Sequence, residues 1–283
     1  MADVLGVIEE AYEKYKTSWK SVILAFAVIA IIAIIFGLAD FLLRLPGELL
    51  CDKAQNTLVV LLFCISPVIL QYVLNFINGL ISLTITMSVI GPLDDVANDR
   101  TVSSWVTNFP KQFVNALLVI LLRFAVAIVC FAPLLILAVL NISLLVAVSQ
   151  SKNIGALVFS GGLIVLIIVG IVCVAIFTLV NFLLSFLEIE MVLGRAGIVG
   201  AAKKSARLVM GNLADMIVYS MLWFVIGLGV GLLTIVLACT ICLLPVAWLI
   251  PSLIVAPIQW LSAIILWRRL GGSSEKVVKK RGR

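Results

Sequence analysis

Residues 156–187 read ALVFSGGLIVLIIVGIVCVAIFTLVNFLLSFL, a run of 32 residues without a charged side chain. An α-helix rises about 1.5 Å per residue, so roughly 20 apolar residues cross the ~30 Å hydrocarbon layer of a bilayer. The run therefore predicts a membrane-spanning helix. Because it is longer than a perpendicular crossing requires, this helix should tilt, bend or project beyond the membrane.

Five further apolar runs are long enough to cross a membrane, at about 20–39, 58–90, 113–140, 213–238 and 246–267. Of the 283 residues, 64% are hydrophobic and 12% are charged, and the mean hydropathy is +1.28. A soluble fold of this size has too little interior to bury so much apolar surface. The sequence predicts an all-α fold, a polytopic integral membrane helix bundle with six transmembrane helices.

Lysine and arginine are distributed unequally between the two sides that six crossings define. Sixteen lie in the N-terminal segment, in the connections at 91–112 and 188–212, and in the C-terminal tail, whereas three lie in the other connections. By the positive-inside rule, this asymmetry predicts that both termini are cytoplasmic. The first apolar run begins too late and is too long for a cleavable signal peptide.

The predicted transmembrane domain, residues 19–268, is flanked by two charged segments. Residues 1–18 place apolar side chains at helical spacing and charged side chains on the remaining arc. This pattern predicts an amphipathic interfacial helix on the inner surface, and the alternative is a simple extension of the first span. Residues 269–283 form a basic cytoplasmic tail, which suits binding to anionic lipid or merely fixes the topology.

Prolines predict irregularities in three spans. Gly91-Pro92 marks the expected end of the second span, and Pro133 predicts that the tail of the third span, Leu134 to Val148, bends along the outer surface. The sixth span contains Pro245, Pro251 and Pro257. They predict kinks there unless neighbouring helices satisfy the freed carbonyl groups.

The connection between the fourth and fifth spans, GIVGAAKKSARLVMGN at 197–212, has the pattern of a short amphipathic inner-surface helix. A small-residue ridge suited to close helix packing consists of Gly197, Ala201 and Ser205. The cations that can reach lipid phosphates are Lys203, Lys204 and Arg207. Gly211 is expected to end this helix, and Asn212 to cap the fifth span.

This segment resembles a prokaryotic six-helix membrane protein family of mostly unknown function, which includes the membrane domain of glycerophosphodiester phosphodiesterases. The resemblance implies a six-helix bundle in the plasma membrane of a prokaryote. The chain departs from the family pattern at Glu190, near a usual proline, and at Gly194, near a usual acidic residue. These 283 residues contain no phosphodiesterase domain, so we do not expect the named activity of the family to carry over.

One charged residue, Arg123, lies near the middle of a predicted span, where a cation will not face lipid. The residues predicted to form an intramembrane polar cluster at this depth are Arg123, Asn75, Asn78 and Asn181. The cluster either holds helices together or binds an anionic group, such as a lipid phosphate or a carboxylate. The nearest carboxylates, Glu188 and Glu190, lie near the inner end of the fourth span and pair with Arg123 only by reaching inward or if the boundary of this span lies elsewhere.

No catalytic residue, metal site or cofactor is predicted. The chain has no histidine, no nucleophile–base pair and no phosphate-binding glycine motif. Asp94, Asp95 and Asp99 suit either Mg²⁺ or a solvated loop with a helix cap. Cys239 and Cys242 are either disulfide-bonded or free thiols.

Together these features predict a non-enzymatic membrane scaffold or partner subunit that interacts with lipid. The expected partners are anionic headgroups at the inner face, together with another membrane protein or a second copy of the chain. Nucleic acid is not implied. The alternative function is a small-solute or anion transporter or channel with Arg123 in its pathway.

Overall fold

The computed structural model describes residues 3–50, 66–148, 152–238 and 249–272, which are helical and contain no strand. A 3₁₀ turn (Val106–Asn108) precedes the third helix, and a π-helical turn (Pro251–Val255) precedes the last. The α-helices are α1 (Val4–Leu50), α2 (Ser66–Ala97), α3 (Phe109–Val148), α4 (Lys152–Leu183), α5 (Leu187–Val192), α6 (Ile198–Gly211), α7 (Leu213–Ala238) and α8 (Ala256–Arg269).

Six segments of these helices are long and apolar enough to cross a membrane. They are Val22–Ala39, Ile69–Ala97, Val106–Asn141, Gly162–Val192, Leu213–Leu237 and Pro251–Arg269. The predicted all-α bundle with six transmembrane helices is therefore confirmed. The excess length of the fourth run is taken up by a break at residues 184–186, where α4 ends and the short helix α5 begins.

The N-terminal segment is not a separate surface helix, because α1 continues from Val4 into the first span. The sequence has neither glycine nor proline between residues 7 and 36, so nothing local breaks the helix. Val4, Val7 and Ala11 are buried against the rest of the protein. The structure therefore agrees with the second interpretation of residues 1–18, in which they extend the helix of the first span.

Two prolines lie inside helices that were expected to stop or bend. Helix α2 continues past Pro92 to Ala97, and α3 continues past Pro133 to Val148. The expected end at Gly91-Pro92 and the expected surface segment after Pro133 are therefore wrong. A proline removes one backbone donor, whereas a lipid-exposed irregular segment would leave several backbone groups without partners, so continuing the helix costs less in a membrane.

The buried core lies at one end of the bundle, which we call the closed end. It contains the N-terminal half of α1, the C-terminal half of α2, the helices α5 and α6, the start of α7 and the end of α8. At the opposite end the side chains are exposed: no residue of α7 from 224 to 237 is buried, and Ala116 and Val119 are the buried residues among those described in α3. These exposed apolar faces are suited to contact with lipid.

Polar contacts at the closed end join three of the four predicted inner segments: the N-terminal segment, the 91–112 connection and the start of the C-terminal tail. Lys14 pairs with Asp99 at 2.8 Å, and Arg269 pairs with Glu10 at 2.6 Å. Arg268 Nε donates to Asp94 Oδ1 at 2.9 Å, and Arg268 Nη1 donates to Asn98 Oδ1 at 2.6 Å. The N-terminal segment and the end of the last helix therefore lie at the same end of the bundle. This arrangement agrees with an even number of crossings.

A neighbouring helix satisfies one carbonyl group that proline leaves free. Leu253 lies four residues before Pro257, which has no N–H to donate to it. Instead, the Tyr15 hydroxyl donates to Leu253 O at 2.6 Å. The expectation for the sixth span is confirmed at this proline, and Pro245 lies outside the described residues.

Candidate functional site

The break between α4 and α5 is held by a side chain from α6. Ser205 is fully buried, and its hydroxyl donates to Leu183 O at 2.8 Å. The same oxygen accepts the Phe186 N–H at 3.1 Å. One hydroxyl therefore satisfies a carbonyl at the end of α4 and an amide just before α5, and it attaches α6 to the bend.

Helix α6 has one buried face and one charged face. The buried face consists of Ala201, Ser205 and Val209. Gly197 was expected to belong to this ridge, but it is the exposed N-cap residue, and a Cβ built on it would meet nothing within 4 Å. The exposed cations on the other side are Lys203, Lys204 and Arg207, which have no ion-pair partner among the described residues. The predicted division into a packing ridge and a cationic surface is present, with the ridge shifted by one turn.

The end of α6 differs from expectation in one detail. The helix ends at Gly211, as predicted, and α7 begins at Leu213. Asn212 Nδ2 donates back to Leu208 O at 3.0 Å, and the Asn212 carbonyl accepts the Met216 N–H at 3.1 Å. Its side chain therefore closes the end of α6, and its backbone, not its side chain, starts the fifth span.

Arg123 pairs with a carboxylate that the sequence placed outside the membrane. Its Nη2 donates to Glu188 Oε1. The Glu188 side chain is 3% exposed and that of Arg123 is 45% exposed, so the acid lies inside the bundle and the cation covers it from the side. The pair forms because α4 stops at Leu183, so the chain after the break can turn Glu188 inward.

The three asparagines do not join Arg123 in a cluster. Asn78 Oδ1 accepts from Ser82 at 3.5 Å, and Asn181 Nδ2 donates to Phe177 O at 2.9 Å, both within their own helices. Asn75 is exposed, with no hydrogen bond to another described residue. These four residues are therefore not joined in the predicted polar cluster, although Arg123 does have a polar partner on another helix. Spacing along a helix sets the level of a residue along the helix axis but does not by itself set which neighbouring helix its side chain faces.

A second buried carboxylate, Glu190, lies two residues after the first in α5. Glu190 Oε1 accepts the Trp267 Nε1–H at 2.8 Å, which ties α5 to α8. The sequence signal for both acids was available: the pattern Glu188-Ile-Glu190 directly follows a long apolar run. The sequence indicated both acids as the nearest carboxylates to Arg123, but it did not indicate Trp267 as the partner of Glu190, because the two residues lie 77 positions apart.

The aspartates near the end of α2 have separate partners. Asp94 is bound by Arg268, Asp95 Oδ2 accepts from Ser103 Oγ at 2.7 Å, and Asp99 pairs with Lys14. Within the described ranges, no group of three or more potential ligands is placed to hold a metal ion. Cys130 and Cys173 are free thiols, and the predicted pair Cys239 and Cys242 lies outside the described residues.

The fold and these contacts define a multi-pass integral membrane protein whose helices are joined at one end by buried polar groups. No protein-family model, curated protein or solved structure matches the chain. The resemblance of residues 197–212 to the prokaryotic membrane family and the non-enzymatic role therefore stay predictions.

Proposed function

We propose that this protein is a non-enzymatic membrane scaffold that binds anionic lipid headgroups at the cytoplasmic face of a prokaryotic plasma membrane. The observation that carries the proposal is the cationic face of α6. Lys203, Lys204 and Arg207 are exposed on a helix whose other face is locked to the bundle through Ser205.

The position of α6 favours lipid over a soluble anion. The helix follows the Gly162–Val192 span and precedes the Leu213–Leu237 span, so its ends lie where the chain enters and leaves the membrane. Val199 and Met210 are 79% and 60% exposed beside the cations. Apolar side chains beside lysine and arginine are typical of helices that lie in the headgroup region.

The alternative function, transport past Arg123, is less well supported. It required a guanidinium without a counter-charge at membrane depth, and Arg123 is paired with Glu188. A charge that is already neutralised attracts an anion weakly, because the anion must compete with a fixed carboxylate.

The scaffold role is favoured by the exposed second half of α7. Gly227, Gly229 and Gly231 lie there, and a Cβ on any of them would meet no described residue within 4 Å. Small residues let membrane helices approach closely, so this face suits a helix of another membrane protein or of a second copy.

Lipid binding is tested by native mass spectrometry of the full chain released from bilayer nanodiscs that contain phosphatidylglycerol and phosphatidylcholine. Substituting Lys203→Gln and Lys204→Gln should reduce the retained phosphatidylglycerol by roughly five- to thirtyfold, since each cation contributes about 1 kcal/mol near a charged membrane surface and screening by salt lowers this contribution.

The matched control is Lys16→Gln with Lys20→Gln, which removes the same charge from exposed positions on α1. This control should retain phosphatidylglycerol like the original chain. Equal retention by both variants, or an equal loss in both, would exclude α6 as the lipid-binding surface.

A further inference from the structure

A polar cavity of about 750 Å³ lies at the closed end, away from the cationic face of α6. Its walls are the last turns of α2, the connection to α3, the first turns of α3, and the connection from α5 to α6. Sites for small molecules have volumes of roughly 300–1,000 Å³, so the space fits a headgroup-sized molecule and is much larger than a single ion requires.

One wall of the cavity is a polar stripe at the start of α3. Asn108, Gln112 and Asn115 follow one another at helical spacing and line the cavity together. Asn115 Nδ2 donates to Gln112 Oε1 at 2.8 Å, which fixes the orientation of both amides. Amide groups both donate and accept hydrogen bonds, so this wall suits hydroxyl or amine groups of a ligand.

The acidic residue on the wall is paired with a cation, which reduces its repulsion of an anion. Asp94 lines the cavity, but its carboxylate accepts hydrogen bonds from both Nε and Nη2 of Arg268. The neighbouring Asp95 is bound to the Ser103 hydroxyl and N–H, at 2.7 Å and 3.2 Å. Within the protein, Asp94 thus has a counter-charge and Asp95 has two hydrogen-bond donors.

Positive groups face the same cavity from two sides. Lys111 comes from α3 and has no ion-pair partner within the described part of the chain. Arg195 comes from the opposite wall, where its backbone is in the left-handed region with φ of 46°, a conformation that is costly for a residue with a side chain.

The N-terminus of α6 adds to this positive potential. Gly197 is its N-cap and also lines the cavity, and no acidic side chain lies in the first turn. The first N–H groups of an α-helix have no partner within the helix and carry the positive end of its dipole.

We propose that this cavity binds a phosphate ester. The phosphate lies between Lys111, Arg195 and the start of α6, and the alcohol part of the ester hydrogen-bonds to the amides of α3. The site goes beyond the lipid-binding face of α6, since it uses none of the three cations on that face. The ester is supplied either by a lipid headgroup or by a soluble phosphate compound.

The experiment measures binding of two probes to the purified full chain in neutral detergent. Glycerol 3-phosphate, followed by calorimetry, represents the soluble source, and phosphatidic acid, followed as retained adducts in native mass spectrometry, represents the lipid source. We expect saturable binding of at least one probe, weakened at least tenfold by Lys111→Gln with Arg195→Gln.

A second variant blocks the cavity without changing charge. A Cβ at Gly91, which lines the cavity, would meet only Asn108 Nδ2 at 3.7 Å, an ordinary contact distance. Gly91→Leu should therefore fold and fill the space, and it too should weaken binding at least tenfold. Circular dichroism verifies that each variant retains its helices.

Substitution of Lys203 and Lys204 by glutamine separates this site from the proposed function. That variant should bind glycerol 3-phosphate or phosphatidic acid as tightly as the original chain does, although it retains less phosphatidylglycerol. Binding of one probe alone supports the site and identifies its source. The proposal is overturned if neither probe binds saturably, or if folded Gly91→Leu and the Lys111/Arg195 variant both bind as tightly as the original chain.

Discussion

Replacing Ser205 by alanine tests whether α6 holds the bend between α4 and α5. The substitution deletes one oxygen that is fully buried and that satisfies Leu183 O at 2.8 Å and the Phe186 N–H at 3.1 Å. Because the site is closed to solvent, water does not replace the hydroxyl, and two backbone groups at a helix break lose a partner.

The expected loss of stability follows from those two groups. A buried donor or acceptor without a partner costs about 1–3 kcal/mol. The Leu183 carbonyl retains a second lone pair, and the chain can relax slightly around the missing oxygen, so we expect Ser205→Ala to lower the free energy of unfolding by about 2–4 kcal/mol.

The measurement is reversible unfolding of the purified protein in mixed detergent micelles, with helix content followed by circular dichroism. Ser143→Ala is the matched control, since Ser143 is exposed and its hydroxyl donates only to Val139 O of its own helix, at 2.9 Å. The control should change stability by less than ~0.5 kcal/mol. If Ser205→Ala also lowers the free energy of unfolding by less than ~0.5 kcal/mol, the Ser205 hydroxyl does not hold the bend.

Two further predictions concern contacts between distant helices. Glu188→Gln should destabilise the protein by about 2–4 kcal/mol because it leaves the guanidinium of Arg123 without its counter-charge, and adding Arg123→Gln should recover part of this loss; additive effects in the double variant would contradict a direct pair. Tyr15→Phe should cost about 1 kcal/mol because the Leu253 carbonyl loses its donor. Burial raises the pKa of the Tyr15 phenol, so its contribution to stability is complete below pH ~10 and is lost at higher pH. The stability of the original chain should therefore decline more steeply above this pH than that of Tyr15→Phe, which has no phenol at this position. An identical decline of stability with pH in both proteins would show that another group titrates.

The membrane spans could be predicted from the sequence because span formation depends on local properties. Apolar length and composition suffice to drive a segment into lipid, and helix is the form that satisfies the backbone there. The same holds for α6, whose ends follow from Gly197 and Gly211 and whose cations occupy one face through simple helical spacing.

The candidate site could be predicted only in part. Arg123 was recognised because an isolated charge in an apolar run is visible in the sequence, whereas Glu188 could be indicated only as one of two nearby carboxylates. Glu188 faces inward only because α4 ends at Leu183, and that end depends on Ser205, which lies 22 residues further along the chain. The cavity was also invisible, since its walls come from residues between 87 and 197.

The sequence by itself determined that this chain is a bundle of six membrane-spanning helices with an amphipathic helix between the fourth and fifth spans. Tertiary structure alone decided which charges are paired, where the fourth run breaks and which polar groups line a common cavity. Burial in lipid is a property of each segment, whereas a pairing in the closed end depends on which helix faces meet, and those faces are selected by packing across the whole bundle.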